Sequence, residues 1–271
     1  MKGIDTYALR QKRILITGAT GHLGSAMVAA LAEAGAHVLI NARTEVRCHE
    51  LATQICSQGH SAEAAVFDVR SPKAVSEFFA SQTGLPLHGL VNNAFAGAGA
   101  GGVSGGGIEE SNDESFVFGF DIALVAANRV MRGSLGCLRE AVRLAGDASV
   151  INIASMYALV SPDQRIYGSR QGVNPPSYGV AKAALLQWTR YAACEFGAEG
   201  IRVNAISPGA FPPTTVQEKH PELMEKLKSR IPLGRIGCAD EIKGPTLFLA
   251  SRLSSFVTGA NIVVDGGWTA W

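Results

Sequence analysis

Residues 13–40, RILITGATGHLGSAMVAALAEAGAHVLI, decide the fold. Arg13-Ile14-Leu15-Ile16-Thr17 is a short aliphatic run that reads as a buried strand. It enters a turn carrying Gly18, Gly21 and Gly24, after which an Ala-rich segment from Ser25 to Ala34 reads as a helix stopped by Gly35. His37-Val38-Leu39-Ile40 is the next strand. Strand, glycine turn, helix and strand make a βαβ unit whose turn is suited to a dinucleotide pyrophosphate. Glycines let the backbone approach phosphates closely, and the helix start supplies free N–H groups.

The same alternation runs outward to the C-terminus. A helix over Val46–Gln58 precedes a strand Ala64-Ala65-Val66-Phe67 ending at Asp68-Val69, then a helix over Pro72–Ser81 and a strand Gly89-Leu90-Val91 ending at Asn92-Asn93-Ala94. Two helices' worth of sequence (Glu109–Leu144), a strand Ser149–Ala154, a helix over Pro175–Phe196 and a strand Arg202–Ile206 follow. Helical Pro221–Ser229, a helix Asp240–Ala250 and a last strand Asn261–Asp265 complete the chain. Uncharged strands alternating with helices predict an α/β fold: a doubly wound parallel sheet of Rossmann type, three layers deep, in a single domain over 1–271. Ala96–Gly107 is too rich in glycine for a helix or strand interior, and it reads either as a flap beside the ligand or as a tolerated surface insertion.

Composition excludes several function classes. The chain has 271 residues, 47% of them hydrophobic, and a formal net charge of +1 with no Lys/Arg-rich run, which points away from nucleic acid and anionic membranes. No apolar segment is long enough to span a bilayer. Met1–Thr6 lack the apolar core of an export signal, so a cytoplasmic location is expected. Five scattered cysteines without a Cys-x-x-Cys fit free thiols in a reducing compartment, and the six histidines show no ligand spacing, so no metal is expected.

The chemistry is expected at Ser155, Tyr178 and Lys182. Tyr178 and Lys182 are four apart in a helical run and so share a face. An ammonium close to a phenol stabilises the phenolate, whose unperturbed pKa is about 10. Ser155 closes an apolar strand, where its hydroxyl could hold a carbonyl oxygen against that phenol. Read alone, such a pair also fits an ordinary solvated helix face.

With these pieces in order, the chain resembles the short-chain dehydrogenase/reductase family over essentially its whole length. The resemblance rests on TGATGHLG (Thr17–Gly24), Asp68-Val69, NNA (Asn92–Ala94), Ser155, YGVAK (Tyr178–Lys182), RVNAISPG (Arg202–Gly209) and VTGANIVVDGG (Val257–Gly267). It implies an enzyme that interconverts a carbonyl and an alcohol, with Tyr178 as general acid/base and Ser155 positioning the substrate oxygen. Lys182 would lower the tyrosine pKa and bind the nicotinamide ribose. The cofactor would lie along Gly18, Thr20, Gly21, His22, Leu23 and Gly24, with Asp68 and Val69 at the adenine. Asn92, Asn93 and Ala94 would line the adenosine side, and Pro208, Gly209 and Phe211 the nicotinamide. Ala42 stands where an NAD-selective acid is usual and is followed by Arg43, which suits a 2′-phosphate. NADP(H) is therefore favoured and NAD(H) is the alternative, with Arg43 then stacking on the adenine. The helix around Pro175–Phe196 and the C-terminal VTGANIVVDGGWTAW resemble surfaces through which relatives assemble, so a homotetramer is expected first and a dimer second. Trp268 and Trp271 would pack there.

Three departures qualify the expectation. The Gly18/Gly21/Gly24 spacing resembles the family's epimerase-like branch, with His22 in place of the usual middle glycine. Counting along FVFGFDIALVAANRV, the position of the family's catalytic asparagine is Ala123, and Asn128 would face elsewhere. That substitution supports a rival reading, a dinucleotide-binding scaffold or redox-sensing regulator. Finally, Ser155 and Tyr178 stand 178 − 155 = 23 positions apart, longer than is usual. The inserted PDQRIYGSRQGVNPP (Pro162–Pro176) carries Arg165, Tyr167 and Arg170, which would bind an anionic group of the substrate or sit as a solvated loop. A similar insertion occurs in members acting on surface sugars, so a sugar, sugar-nucleotide or other small carbonyl compound is the expected substrate. Residues 95–110, 156–177 and 210–232 are expected to form the substrate side.

Overall fold

The computed structural model describes residues 9–95, 105–168 and 172–271. Ala96–Ser104 of the glycine-rich stretch and Arg170 of the insertion lie outside them. Seven strands form one parallel sheet in the order β3-β2-β1-β4-β5-β6-β7. They are β1 (Arg13–Ile16), β2 (His37–Ile40), β3 (Ser61–Ala64), β4 (Gly89–Asn92), β5 (Ala148–Ile153), β6 (Ile201–Pro208) and β7 (Asn261–Val264). This is the doubly wound order, with the chain reversing direction between β1 and β4, where such sheets open a crevice for ligands.

Strand periodicity builds both layers. Leu15, Leu39, Leu90, Val150 and Val203 point to one face, against α3 (Pro72–Ser81) and α5 (Ala126–Ala145). Ile14, Ile16, Val38, Val91 and Ile151 point to the other, against α1 (His22–Glu33), α2 (Glu45–Ser57) and α9 (Lys243–Ala250). Side chains alternating across strands that are covered on both sides explain why these segments read as continuous apolar runs. Helices α4 (Asp113–Phe120) and α5 are joined without a loop by a π-helical turn, Asp121–Val125. After β5 come a 3₁₀ turn at Met156–Ala158, the insertion and α6 (Pro176–Phe196). Short helices α7 (Thr214–Lys219) and α8 (Pro221–Arg230) follow β6.

The third strand departs from the sequence reading. It occupies Ser61–Ala64, whereas Ala65–Phe67 are extended but outside the ladder. The cause is Asn41, whose buried amide donates to the carbonyls of Ala65 (2.8 Å) and Phe67 (3.0 Å). The Ala65 N–H still donates to Ile40 of β2 (2.9 Å), but beyond it a side chain takes the backbone carbonyls. Trp268 is buried within its own chain, beside Met224 and Leu227, while Trp271 is 74% exposed. Among the described residues no helix is long and apolar enough to cross a membrane.

Candidate active site

The glycine turn lies at the carboxyl edge of the sheet and is held from below. Asn93 Nδ2 donates to the carbonyls of Thr17 and Gly18, both at 3.0 Å. Thr17 Oγ1 accepts from the backbone N–H of Asn93 (3.0 Å) and Ala94 (3.1 Å). Gly18 adopts φ +62°, and a Cβ there would stand 2.8 Å from the Ala94 Cα, so bare backbone is required. The result is a groove of about 250 Å³. Gly18, Thr20, Gly21 and Ala94 line its floor, Asp68 and Val69 one wall, and Arg43, Thr44 and Arg47 the far end.

The remaining expected cofactor residues sit elsewhere. His22 and Gly24 belong to the first turns of α1, and Leu23 packs on the core behind the groove. Asn92 is buried in the sheet and donates to Asn152 Oδ1 at 2.9 Å instead of facing the groove. Gly209 follows β6, bonded to Val264 (2.9 Å), and Phe211 lines a separate cavity of about 410 Å³ with Arg235 and Glu241.

Ser155, Tyr178 and Lys182 converge at the end of β5. Ser155 is buried, and its Oγ accepts from the Tyr157 N–H at 3.1 Å, capping the 3₁₀ turn. Helix α6 meets that turn closely: a Cβ on Gly179 would stand 2.8 Å from the Tyr157 carbonyl oxygen. The glycine beside Tyr178 is thus what lets the phenol reach Ser155, with which it hydrogen-bonds. Lys182, buried, donates to the Ile153 carbonyl at 2.6 Å. Its ammonium lies 4.9 Å from the Phe95 ring centre and 6.0 Å from that of Tyr178. The Phe95 and Tyr178 rings meet edge to face at 5.0 Å.

Burial dominates the electrostatics of the pair. Burial pushes the Tyr178 phenol above 10, opposed only by the hydrogen bond to Ser155. The Lys182 ammonium is turned towards a backbone carbonyl, 6.0 Å from the phenol ring centre. Burial instead pushes Lys182 itself from 10.5 to about 8. Between those values the folded chain holds fewer protons than the unfolded one. The lysine therefore costs stability below pH 8, and this cost is relieved as pH rises towards 10.5. In the ligand-free protein, Lys182→Met should gain stability over wild type at pH 7 and lose about 3 kcal/mol of that gain by pH 10.5. Urea unfolding at both pH values measures this, and a constant difference would refute it.

The insertion also departs from expectation. Arg165 is captured by Asp163 two residues earlier (2.9 Å), which Arg230 joins at 3.2 Å, and the Arg165 side chain is 80% exposed. Tyr167 turns inward instead and shares a 2.9 Å hydrogen bond with the hydroxyl of Tyr157, a half-hidden pair next to the phenol of Tyr178. Three residues were missed from sequence. Arg47 stands in the first turn of α2, four positions after Arg43, which precedes the helix. Phe95 follows the NNA segment directly. Tyr157 lies two past Ser155 and had no motif to mark it. Ala123 is buried in the π-helical turn, and Asn128 lies in the first turn of α5. Among the described residues no cluster of His, Cys, Asp or Glu could hold a metal.

A family model described as enoyl-(acyl carrier protein) reductase matches residues 18–269. The 2-dehydro-3-deoxy-D-gluconate 5-dehydrogenase of Dickeya dadantii is 30% identical, over 98% of this chain and 99% of its own length. The 3-oxoacyl-(acyl-carrier-protein) reductase of Pseudomonas aeruginosa is 32% identical over 96% and 98%. A solved gluconate 5-dehydrogenase of Burkholderia cenocepacia, in complex with NADP and tartrate, superposes with a TM-score of 0.83, at 27% identity and 98% coverage of both chains. The chain belongs to the short-chain dehydrogenase/reductase family and is an oxidoreductase.

Proposed function

We propose that the protein is an NADP(H)-dependent oxidoreductase interconverting a carbonyl and a secondary alcohol on a small polyhydroxylated compound of the sugar or sugar-acid class. The observation that carries this reading is the meeting of Ser155, Tyr178 and Lys182 next to a groove with two arginines at its far end. The groove fits a dinucleotide: its floor is backbone that a Cβ would obstruct. Gly18, Thr20 and Gly21 would hold the pyrophosphate, Asp68 and Val69 the adenine, and Arg43 with Arg47 a 2′-phosphate. Tyr178 and Lys182 would take the nicotinamide ribose, and Pro208 and Gly209 the ring. Asn93 and Ala94 act by holding Gly18 in place.

When bound, the cofactor supplies or accepts the hydride. The chain's own residues handle the proton. Ser155 orients the substrate oxygen, and Tyr178, kept protonated at neutral pH by burial, gives its proton to that oxygen in reduction and takes it back in oxidation. Lys182 places a positive charge beneath this exchange. Two of the relatives carry gluconate names, and the Tyr157–Tyr167 hydroxyl pair offers polar contacts to a polyol next to Tyr178, which supports the substrate class.

The test is NADPH deuterated at the transferable C4 position, incubated with the protein and a panel of keto sugar acids. Deuterium appearing at the new carbinol carbon supports the reading. NADPH binding with no transfer to any compound would overturn it and favour the scaffold that Ala123 first suggested. A homotetramer is the assembly proposed, from fully exposed Phe256 and from Tyr191 and Val180 on the outer side of α6. Light scattering tests it. Five unpaired cysteines support a reducing, cytoplasmic location, which fractionation tests.

A further inference from the structure

The groove and the catalytic trio are neighbours that do not open into each other. None of Ser155, Tyr178, Lys182, Pro208 and Gly209 lines the groove. Lys182 instead lines a small separate cavity with Ala123 and Val130. Phe95 touches both regions. It lines the groove beside Ala94 and Phe118, and the same ring lies 4.9 Å from the Lys182 ammonium and 5.0 Å from the Tyr178 ring. As bounded by Phe95, the groove measures about 250 Å³. Sites that bury a drug-sized molecule have about 300–1,000 Å³, so this groove takes the adenosine end of a dinucleotide and not its whole length.

The surrounding contacts decide which part gives way. The backbone at Asn93 and Ala94 is fixed, because both N–H groups donate to Thr17 Oγ1 (3.0 and 3.1 Å) and the Ala94 Cα stands against Gly18. Lys182 is tied to the Ile153 carbonyl at 2.6 Å, and Tyr178 is hydrogen-bonded to Ser155. Phe95 has no polar atom to anchor it. Apolar packing, one edge-to-face contact and one cation–π contact hold its half-buried ring. Turning about its Cα–Cβ bond to another staggered position moves the ring without breaking a hydrogen bond.

We propose that Phe95 is a stopper within the cofactor site: the nicotinamide ribose reaches Lys182 and Tyr178 only after this ring has turned aside. The adenosine end docks in the groove without that movement. Displacing the ring gives up its contacts with Lys182 and Tyr178, and this opposes the nicotinamide half alone. Affinity for the whole cofactor is lowered by the fraction of molecules in which the ring stands in place, whereas affinity for a ligand that ends at the phosphates is not. This inference rests on the reading of the groove and of the Tyr178–Lys182 pair as two ends of one cofactor site.

Adenosine 2′,5′-bisphosphate separates the outcomes, because it carries the adenine and the 2′-phosphate but no nicotinamide half. Calorimetric titrations of wild type and Phe95→Ala with this probe and with NADPH make the comparison. The variant should bind NADPH about tenfold more tightly, the effect of one cation–π and one edge-to-face contact no longer opposing the ligand. Its affinity for the bisphosphate should change by less than about twofold. NADPH affinity that is unchanged or weaker in the variant overturns the proposal; in the weaker case the ring is a platform for the nicotinamide half. A bisphosphate affinity that rises in step with that of NADPH also overturns it, since the substitution then reshapes the groove as a whole. A crystal structure of the wild-type protein with NADP carries the test whether or not the variant folds. It should show the Phe95 ring away from Lys182, and a ring still 4.9 Å from the ammonium overturns the proposal. If the bisphosphate does not bind wild type at all, the cofactor reading of the groove fails first and the stopper falls with it.

Discussion

Tyr178→Phe is expected to lower turnover by about 10³-fold while leaving NADPH affinity within about twofold of wild type. Phenylalanine keeps the ring that stands edge to face with Phe95 at 5.0 Å, so the packing between the groove and the catalytic end is preserved. Only the hydroxyl is lost, and with it the partner of Ser155 and the one acid placed to protonate a carbonyl oxygen held there. Burial holds the phenol above its ordinary pKa, so in the wild-type protein it is fully protonated near pH 7. Carbonyl reduction should therefore run without an activating rise between pH 6 and 7, whereas alcohol oxidation, which needs the phenolate, should climb with pH. Initial rates followed by NADPH absorbance and affinity followed by NADPH fluorescence check both statements. A phenylalanine variant that keeps a tenth or more of wild-type turnover would remove Tyr178 from the mechanism.

Much of this arrangement was legible in the sequence because it depends on the backbone. Gly18 is needed where the turn passes within van der Waals reach of Ala94, and only a residue without a Cβ meets that demand. Helical spacing likewise placed Tyr178 and Lys182 on one face. Spacing could not say which partner each side chain chooses, and there the reading failed. Lys182 takes the Ile153 carbonyl, supplied by a strand 29 positions earlier in the chain. Arg165 was expected in the site, but its own neighbour Asp163 neutralises it and leaves it in solvent. The apolar Ala65–Phe67 segment has strand composition and strand burial, yet the amide of Asn41 replaces the ladder there. The π-helical turn at Asp121–Val125 left no mark in the hydrophobic period, although it is what sets Ala123 against the Lys182 cavity. Local conformation was readable; competition among polar groups for partners was not.

That competition also decides the cofactor form. Arg43 and Arg47 both reach the far end of the groove, and the one acid between them in sequence, Glu45, pairs with His49 at 3.7 Å. Two cations and the Thr44 hydroxyl thus gather at the start of α2, where helix N–H groups also favour an anion. Both arginines are exposed, so water and salt weaken each contact, and a charged hydrogen bond contributes at most about 1.5–3 kcal/mol. On that basis Arg43→Ala should raise the dissociation constant of NADPH about tenfold and the Arg43→Ala/Arg47→Ala double variant about 10²-fold. NADH, which has no 2′-phosphate, should change by less than about threefold, so the preference between the two cofactors collapses. The loss should shrink with added salt, because screening already weakens these contacts in wild type. Parallel NADPH and NADH titrations at low and physiological ionic strength measure all of this. If both cofactors weaken in the same ratio, the guanidinium groups stack on the adenine, and selection for the 2′-phosphate must be sought elsewhere in the groove.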